Sequence, residues 1–409
     1  MLRKFIYGLC LVALLVIVGG YGYLHTKLPQ RSGEIVLPGL KHKVQVLFDE
    51  WAVPHIEAQN EHDAYLALGY LHAQDRLFQL ELMIRVAQGR LSEILGEDML
   101  DADRYFRTLG ISRFAETYAK DYFHKNPQNV KDALKAYLSG LNAFVSGGPT
   151  PIEFTLLGIP KREYTIMDLI CTGVYMSYTF TNAVRQDPLL TYIHNTFGAG
   201  YLKDLAVYWP EDDTKINVSG ESLGSELELA ELSFEIANVL SQVPPFFGSN
   251  SWAVSGSRTK SGKVIFANDP HIGYAAPSTW YEAHLKTPDW ELYGHHIAGI
   301  PFAIIGHNRR MAWGVTMLQN DDLDFYLERT NPDNPDQVWF RDDWEDLRII
   351  EETIPVRDSE DYPLRIRISR HGPVINDVLE PVKERVKQPV TLSWQMLSDF
   401  ENSTEQVFY

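Results

Sequence analysis

The chain has 409 residues, of which 45% are hydrophobic and 22% charged, an ordinary globular composition that excludes disorder, collagen and coiled coil as global descriptions. Its 54 acidic residues exceed its 37 basic residues, and the net charge of −17 argues against a nucleic-acid-binding protein. The only cysteines, Cys10 and Cys171, leave no room for a disulfide framework.

Residues 1–28 predict a membrane anchor or a signal peptide. Arg3 and Lys4 precede a stretch without any charge, Phe5 to Leu24. A helix of this length rises roughly 30 Å, enough to cross a bilayer. The basic flank predicts export of the following chain, either anchored in an inner membrane and facing the periplasm or free in the periplasm. A buried helix of the soluble fold is the third interpretation.

Residues 29–210 predict a mainly helical region. Apolar residues recur there at helical spacing in three segments, 61–95, 111–145 and 165–205. A short strand is expected at His42–Phe48, where Val44 and Val46 share one side.

The composition changes twice after residue 210. Residues 211–248 contain eight acidic residues and a single base, Lys215, which predicts an acidic spacer or a solvated linker. Residues 249–409 are typical of strands and turns, with short β-rich runs at 252–254, 263–267, 290–293 and 303–305. In a later strand, Leu364, Ile366 and Ile368 alternate with arginine. The fold class predicted from these patterns is α+β.

Several sequence blocks carry a family resemblance, and they occur in one order along the chain. They are Asp49–Ile56, Gly69–Leu77, Gly248–Trp252, Asn268–His271, Gly306–Asn308, Trp313–Gly314 and Arg370–Ile375. Together these blocks resemble the penicillin acylase family of N-terminal-nucleophile hydrolases. The resemblance implies an αββα sandwich of antiparallel sheets, of which residues 249–409 would form the first part of the catalytic β subunit.

The resemblance also implies that one precursor cuts itself between Gly248 and Ser249 and yields α and β subunits, with 211–248 as the removed spacer. A serine hydroxyl is a weak nucleophile that needs an adjacent base. Cleavage would free the α-amino group of Ser249, whose reference pKa of about 7.7–8.0 suits that task. The implied function is hydrolysis of an acylated amine, such as a β-lactam side chain or an N-acyl homoserine lactone, through an acyl-enzyme on Ser249.

Further site residues follow from the resemblance alone. His271 would hydrogen-bond the nucleophile, and a structural histidine that caps its turn is the alternative. The backbone N–H of Met317 would contribute to the oxyanion hole. An apolar acyl pocket would be formed by Phe180, Val184, Ile272, Ile305 and Val315.

The Asn320–Asp324 segment resembles the calcium loop of the family. Asp321, the Leu323 carbonyl and Asp324 would supply the hard oxygen ligands that calcium prefers, whereas an acidic turn is the competing interpretation. No organic cofactor is expected.

The family's catalytic subunit extends well beyond Tyr409, and the asparagine that completes its oxyanion hole belongs to that later part. We therefore expect the 409 residues to be an inactive N-terminal portion of a precursor. The alternative function is a non-catalytic, membrane-tethered binding module built on an acylase scaffold.

Overall fold

A computed structural model describes residues 2–181, 183–205, 236, 246–317, 322–379, 386 and 388–398. Helices dominate the described residues before 206, and strands dominate those from 246 onward. The predicted α+β class is therefore confirmed. Apart from Ile236 and the last three residues, the acidic segment 211–248 lies outside the described residues.

Each of the three predicted segments contains described helices, and further helices lie outside them. The described helices are α1 (Leu2–His25), α2 (Glu61–Gln88), α3 (Ser92–Leu95), α4 (Leu100–Leu109), α5 (Ile111–Lys125), α6 (Gln128–Gly147), α7 (Ile152–Leu157), α8 (Ile166–Thr179), α9 (Ala183–Phe197), α10 (Ala199–Asp204) and α11 (Gln395–Ser398). Helix α2 begins where the Asn60 side chain accepts a hydrogen bond from the Asp63 N–H, and it ends at Gly89 in the left-handed conformation.

The described strands are mostly short. They are β1 (Gln45–Phe48), β2 (Pro54–Glu57), β3 (Phe246–Val254), β4 (Ile265–Ile272), β5 (Trp280–Lys286), β6 (Glu291–Ile297), β7 (Ile305–Asn308), β8 (Ala312–Trp313), β9 (Leu323–Leu327), β10 (Thr330–Asn331), β11 (Asn334–Phe340), β12 (Asp343–Asp346), β13 (Arg348–Ile354), β14 (Tyr362–Ile368) and β15 (Val390–Trp394).

One sheet joins both parts of the chain. Its strand order is β1-β2-β5-β6-β7-β8, and its neighbours pair antiparallel except for the parallel pair β2–β5. The remaining described strands form the sheet β10-β11-β12 and the pairs β13–β14, β9–β15 and β3–β4. The region before residue 249 thus contributes two strands to the sheet, although its sequence predicts mainly helix.

Helices α2 and α6 cross at two glycines. A Cβ on Gly69 would overlap the backbone carbonyl of Tyr137, and a Cβ on Gly140 would overlap that of Leu66. The glycines therefore let the two backbones approach closely. Tyr65 of α2 is buried against the sheet side of the core, with its ring 6.0 Å from that of Phe302. This packing connects the helical region to the loop that follows β6.

Helix α1 is long and apolar enough to span a membrane. Residues Arg3–His25 have a mean hydropathy of 2.2, and none of this span is buried inside the fold. The apolar side chains of α1 are exposed, Val16 by 68% for example. This exposure contradicts the interpretation of α1 as a buried helix of the soluble fold and leaves an anchor or a signal peptide.

We expect α1 to hold the protein in the membrane, because transfer of so long an apolar helix into lipid is favourable. In membranes washed with alkaline carbonate, the full-length protein should remain in the pellet. Deletion of residues 2–25 should move it to the soluble fraction. A soluble protein whose N-terminus starts near residue 25 would instead identify a cleaved signal peptide.

Candidate active site

Strands β3 and β4 position Ser249 and the bond before it. The chain runs through Gly248 and Ser249 inside β3, with Gly248 opposite His271 and Ser249 opposite Pro270. The pairing register shifts just before Gly248, whose φ of +146° is a conformation that residues with a Cβ rarely adopt. A glycine is therefore required immediately before Ser249.

The Ser249 hydroxyl accepts a hydrogen bond from a backbone N–H. The N–H of Met317, in the segment that follows β8, donates a hydrogen bond of 2.9 Å to Ser249 Oγ. The structure thus brings together two residues that the family resemblance assigned to one site and that lie 68 positions apart. Because a backbone N–H is held by the main chain, it is a rigid donor beside the serine hydroxyl.

Asn268 of β4 ties these two segments together. Its Nδ2 donates to the backbone carbonyls of Asn250, at 3.1 Å, and Val315, at 2.9 Å. Its Oδ1 accepts from the Val315 N–H at 3.3 Å. Gly314 leaves room for this contact, since a Cβ there would lie 2.6 Å from the Asn268 side chain. Asn268 thereby fixes the Met317 segment relative to β3.

The sequence interpretation did not assign Asn268 to the site. Its position inside the block Asn268–His271 was the available signal.

His271 lies beside the Gly248–Ser249 bond but has other partners. Its Nε2 is 3.0 Å from Asp269 Oδ2 and 3.3 Å from Asn250 Nδ2. The implied hydrogen bond to Ser249 is not among the described contacts of the uncut chain. The reason is the register, because it is Pro270 that faces Ser249 across the strand pair, whereas His271 faces Gly248.

An apolar cavity of about 320 Å³ opens at Ser249. Phe180 and Val315 line it, as the resemblance implied, and so does Met317, which the resemblance assigned to the oxyanion hole. Further lining comes from helix α8, from the start of β5 and from the loop after β6. The sequence did not single out these residues, among them Ile170, Met176, Trp280, Ile300 and Ile304. Such a cavity suits an apolar group of moderate size next to the serine hydroxyl.

Three residues expected in the pocket lie elsewhere. Val184 of α9 is fully buried and is not a lining residue. Ile304 lines the cavity in place of Ile305, and Pro270 lines it in place of Ile272. Successive side chains of an extended chain point to opposite faces, so a shift of one residue moves Ile305 away from the cavity.

Buried aromatic side chains contact the loop after β6, which lines the cavity. The Tyr137 hydroxyl accepts a hydrogen bond of 3.0 Å from the N–H of Gly299, a lining residue, and lies 2.7 Å from His72 Nδ1. Burial lowers the pKa of His72 well below its usual value and that of His296 to about 3. Both rings are therefore neutral at pH 7.

The expected calcium loop is only partly within the described residues. Asp321 lies outside them, whereas Leu323 and Asp324 lie in β9 opposite Trp394 and Ser393. Among the side chains that the structure describes, no group of three or more His, Cys, Asp or Glu could hold a metal ion. The calcium site stays a prediction.

The chain resembles characterised acylases. It is 35% identical over 370 residues to the penicillin acylase 2 proenzyme of Pseudomonas sp. (strain SE83). This alignment covers 87% of this chain and 47% of that protein. It is 28% identical over 374 residues to the acyl-homoserine lactone acylase QuiP of Pseudomonas aeruginosa, covering 89% of this chain and 44% of that protein. The chain thus spans about half the length of the curated relatives it matches.

Among solved structures, the chain matches the thermostable penicillin G acylase from Alcaligenes faecalis. The tetragonal form gives a TM-score of 0.34 at 22% identity, over 44% of this chain and 98% of that chain. The orthorhombic form gives 0.32 at 25% identity, over 38% of this chain and 30% of that chain. The family model for penicillin amidase matches residues 43–409. The chain therefore belongs to the penicillin amidase family.

Proposed function

We propose that the full-length protein is an acylase, which hydrolyses the amide bond of an acylated amine through an acyl-enzyme on Ser249. The observation that carries this proposal is the hydrogen bond of 2.9 Å from the Met317 N–H to Ser249 Oγ at the mouth of an apolar cavity. A nucleophilic oxygen, a rigid oxyanion donor and an apolar pocket are the elements that acyl transfer needs.

Maturation would use the same oxygen first. The Ser249 hydroxyl attacks the Gly248 carbonyl, the peptide C–N bond breaks, and the acyl group moves to Oγ as an ester while the nitrogen takes a proton. Water then hydrolyses the ester, which releases the Gly248 carboxylate and regenerates the hydroxyl. The product has Ser249 at its N-terminus, with a free α-amino group of reference pKa about 7.7–8.0.

In turnover, that α-amino group takes the Ser249 proton as Oγ attacks the substrate carbonyl. The Met317 N–H donates to the oxygen that becomes negative, and the amine leaves with a proton. Water, activated by the same α-amino group, then hydrolyses the acyl ester. This sequence of steps requires no Ser-His-Asp triad.

The cavity and the relatives support a proposal for the substrate class. Phe180, Val315 and Met317 make an apolar lining, which favours an aromatic or aliphatic acyl group over a charged one. The volume of about 320 Å³ is at the lower end of the range for small-molecule pockets. The named relatives are a penicillin acylase and acyl-homoserine lactone acylases. We propose an acyl group of this kind on a β-lactam nucleus, a homoserine lactone or a similar amine.

The test uses full-length protein purified with a tag at its C-terminus. N-terminal sequencing of the fragment that carries the C-terminal tag should begin at Ser249, and the protein should release amine from phenylacetyl amides or N-acyl homoserine lactones. A full-length protein that stays uncut and hydrolyses neither class, while binding them, would support the binding module instead. A protein that hydrolyses acyl amides while uncut would refute the N-terminal nucleophile.

Asn268→Ala is expected to slow the cleavage at Ser249. It removes three hydrogen bonds that hold the Met317 segment against β3. We expect a loss of about 1–3 kcal/mol in the free energy of unfolding. The precursor should disappear more slowly in a time course followed by gel electrophoresis, because the oxyanion donor is no longer held at Ser249.

The matched control is Asn308→Ala. The Asn308 side chain accepts from the N–H groups of Arg310 and Met311, at 2.8 and 2.9 Å, in the turn after β7. Its loss should lower stability by a similar amount and leave the cleavage rate unchanged. Equal cleavage rates for both variants and the wild type would show that Asn268 has no positioning role.

We also propose that Asp324 and the Leu323 carbonyl, with Asp321, bind a structural calcium ion. Calcium would then raise the melting temperature, because a ligand that binds only the folded state stabilises it. Asp324→Ala should abolish the rise, whereas Asp342→Ala, an exposed acid in the turn before β12, should keep it. Equal melting temperatures in excess calcium and in chelator would contradict the proposal.

A further inference from the structure

Two histidines face each other on adjacent strands of the six-stranded sheet, and neither lines the cavity at Ser249. His55 of β2 pairs with His284 of β5 in the parallel register. Their Nδ1 atoms are 3.0 Å apart, and the two rings are nearly perpendicular, at 89°. The pair is reachable from solvent, since the two side chains are 33% and 19% exposed.

The Nε2 atom of each ring contacts a carboxylate. His55 Nε2 lies 3.4 Å from Asp49 Oδ2, and His284 Nε2 lies 3.1 Å from Glu291 Oε1. The Val53 N–H donates to Asp49 Oδ1 at 2.9 Å, and Arg309 Nε donates to Glu291 Oε2 at 2.6 Å. A carboxylate only accepts hydrogen bonds, so each contact with a ring needs a proton on the ring nitrogen.

The two neutral rings have fewer N–H protons than polar contacts. A neutral imidazole carries one N–H, so two rings supply two protons for three contacts: one to each carboxylate and one between the Nδ1 atoms. If each Nε2 donates to its carboxylate, both Nδ1 atoms are unprotonated acceptors 3.0 Å apart. A cation shared by both Nδ1 atoms removes the repulsion.

We propose that His55 and His284 bind one divalent transition-metal ion through their Nδ1 atoms, with Asp49 and Glu291 as the second-shell carboxylates that orient the two rings. Metal-bound histidines commonly donate their other N–H to a carboxylate, which fixes the tautomer and the ring orientation. Here both rings already have that partner. The site has two protein ligands, and water fills the remaining positions.

The distance between the two nitrogens selects among metals. With metal–nitrogen bonds of about 2.05 Å, a separation of 3.0 Å corresponds to an angle of about 94° at the metal. This is close to the right angle of square-planar or octahedral coordination and below the tetrahedral angle of about 109° that zinc prefers. Nitrogen ligands in general also bind Cu²⁺ more tightly than Zn²⁺, so we expect Cu²⁺ to bind most tightly.

The site would fasten β2 to β5. Strand β2 precedes Ser249 in the chain and β5 follows it. A metal bound here would therefore link the two chains that cleavage produces. This link rests on the proposed function, whereas metal binding to the uncut protein does not.

The test uses full-length Ser249→Ala protein without a histidine tag, stripped of metal by a chelator. The protein is incubated with one equivalent of Cu²⁺, Ni²⁺ or Zn²⁺ and freed of excess by gel filtration, and bound metal is measured by mass spectrometry. We expect one Cu²⁺ per chain. His55→Gln and His284→Gln should each lose it, and Asp49→Asn and Glu291→Gln should weaken copper binding by roughly 10–100-fold.

His307→Gln is the matched control. His307 lies on β7 of the same sheet and stacks on Tyr293, with ring centroids 5.6 Å apart. This variant should retain the copper, and the electron paramagnetic resonance spectrum should show nitrogen couplings that disappear in His55→Gln. Copper binding that is absent from the parent protein, as expected for a shared proton between the rings, would overturn the proposal. Undiminished binding in both ligand variants would also overturn it.

Discussion

Ser249→Ala should leave the full-length protein as a single uncut chain without acylase activity. The substitution removes the oxygen that attacks the Gly248 carbonyl and that later attacks the substrate. Loss of the nucleophile in a serine hydrolase lowers kcat by roughly 10⁶-fold. Intact mass by mass spectrometry and amine release from acyl amides measure the two effects separately.

Two further variants make this experiment specific. Ser251→Ala makes the same change two residues along β3, at an exposed position, and should cleave and turn over normally. Ser249→Cys keeps a nucleophile, so it is expected to cleave and to lose most of its amide turnover. Cleavage of Ser249→Ala at the wild-type rate would show that another group cuts the bond.

Gly140→Ala should have the largest effect on stability. The added Cβ would overlap the Leu66 carbonyl, a backbone group that cannot rotate away, so α6 must move off α2. Overpacking in a core costs typically about 1–3 kcal/mol, and we expect the upper end of this range or more because two helix backbones are involved. The displaced α6 carries Tyr137 and with it the hydrogen bond to Gly299, so the cavity should also change.

Chemical denaturation followed by circular dichroism measures this effect. The control is Gly147→Ala at the end of the same helix, where nothing lies within 4 Å of an added Cβ. That variant should unfold at the wild-type denaturant concentration or slightly above it, because alanine is the better helix former. Equal unfolding midpoints for the two variants would mean that the helix crossing tolerates a methyl group.

The sequence predicted the helices well and the strands less well. Apolar periodicity in 61–95 is local, so it located α2 and α3. Strand β4 was predicted only over 263–267, because its second half is the polar run Asn268–His271, which pairs with β3 and has no apolar alternation. The parallel pairing of β2 with β5 joins residues 229 positions apart, and no local pattern encodes such a contact.

The residues of the candidate site were also predicted only in part. The sequence blocks and the resemblance predicted Ser249 and Met317 as site residues, and the structure places these two residues in contact. Asn268, Trp280 and Ile304 act through their position in space, so they became visible only in the folded chain. The shift from Ile305 to Ile304 shows the limit of carrying positions across from relatives, since a slip of one residue turns a side chain to the other face of the strand.

The parallel pairing of β2 with β5 also affects refolding. In the uncut chain these strands belong to one molecule, and their association does not depend on protein concentration. If the bond before Ser249 is cut, unfolding separates two chains, and reassembly becomes a second-order process with an unfolding midpoint that rises with concentration. Heat inactivation of the cut protein would then be governed by the rate of unfolding, since separated chains aggregate faster than they meet. The uncut Ser249→Ala chain would be the form that refolds reversibly, and thermodynamic stability is best measured on it.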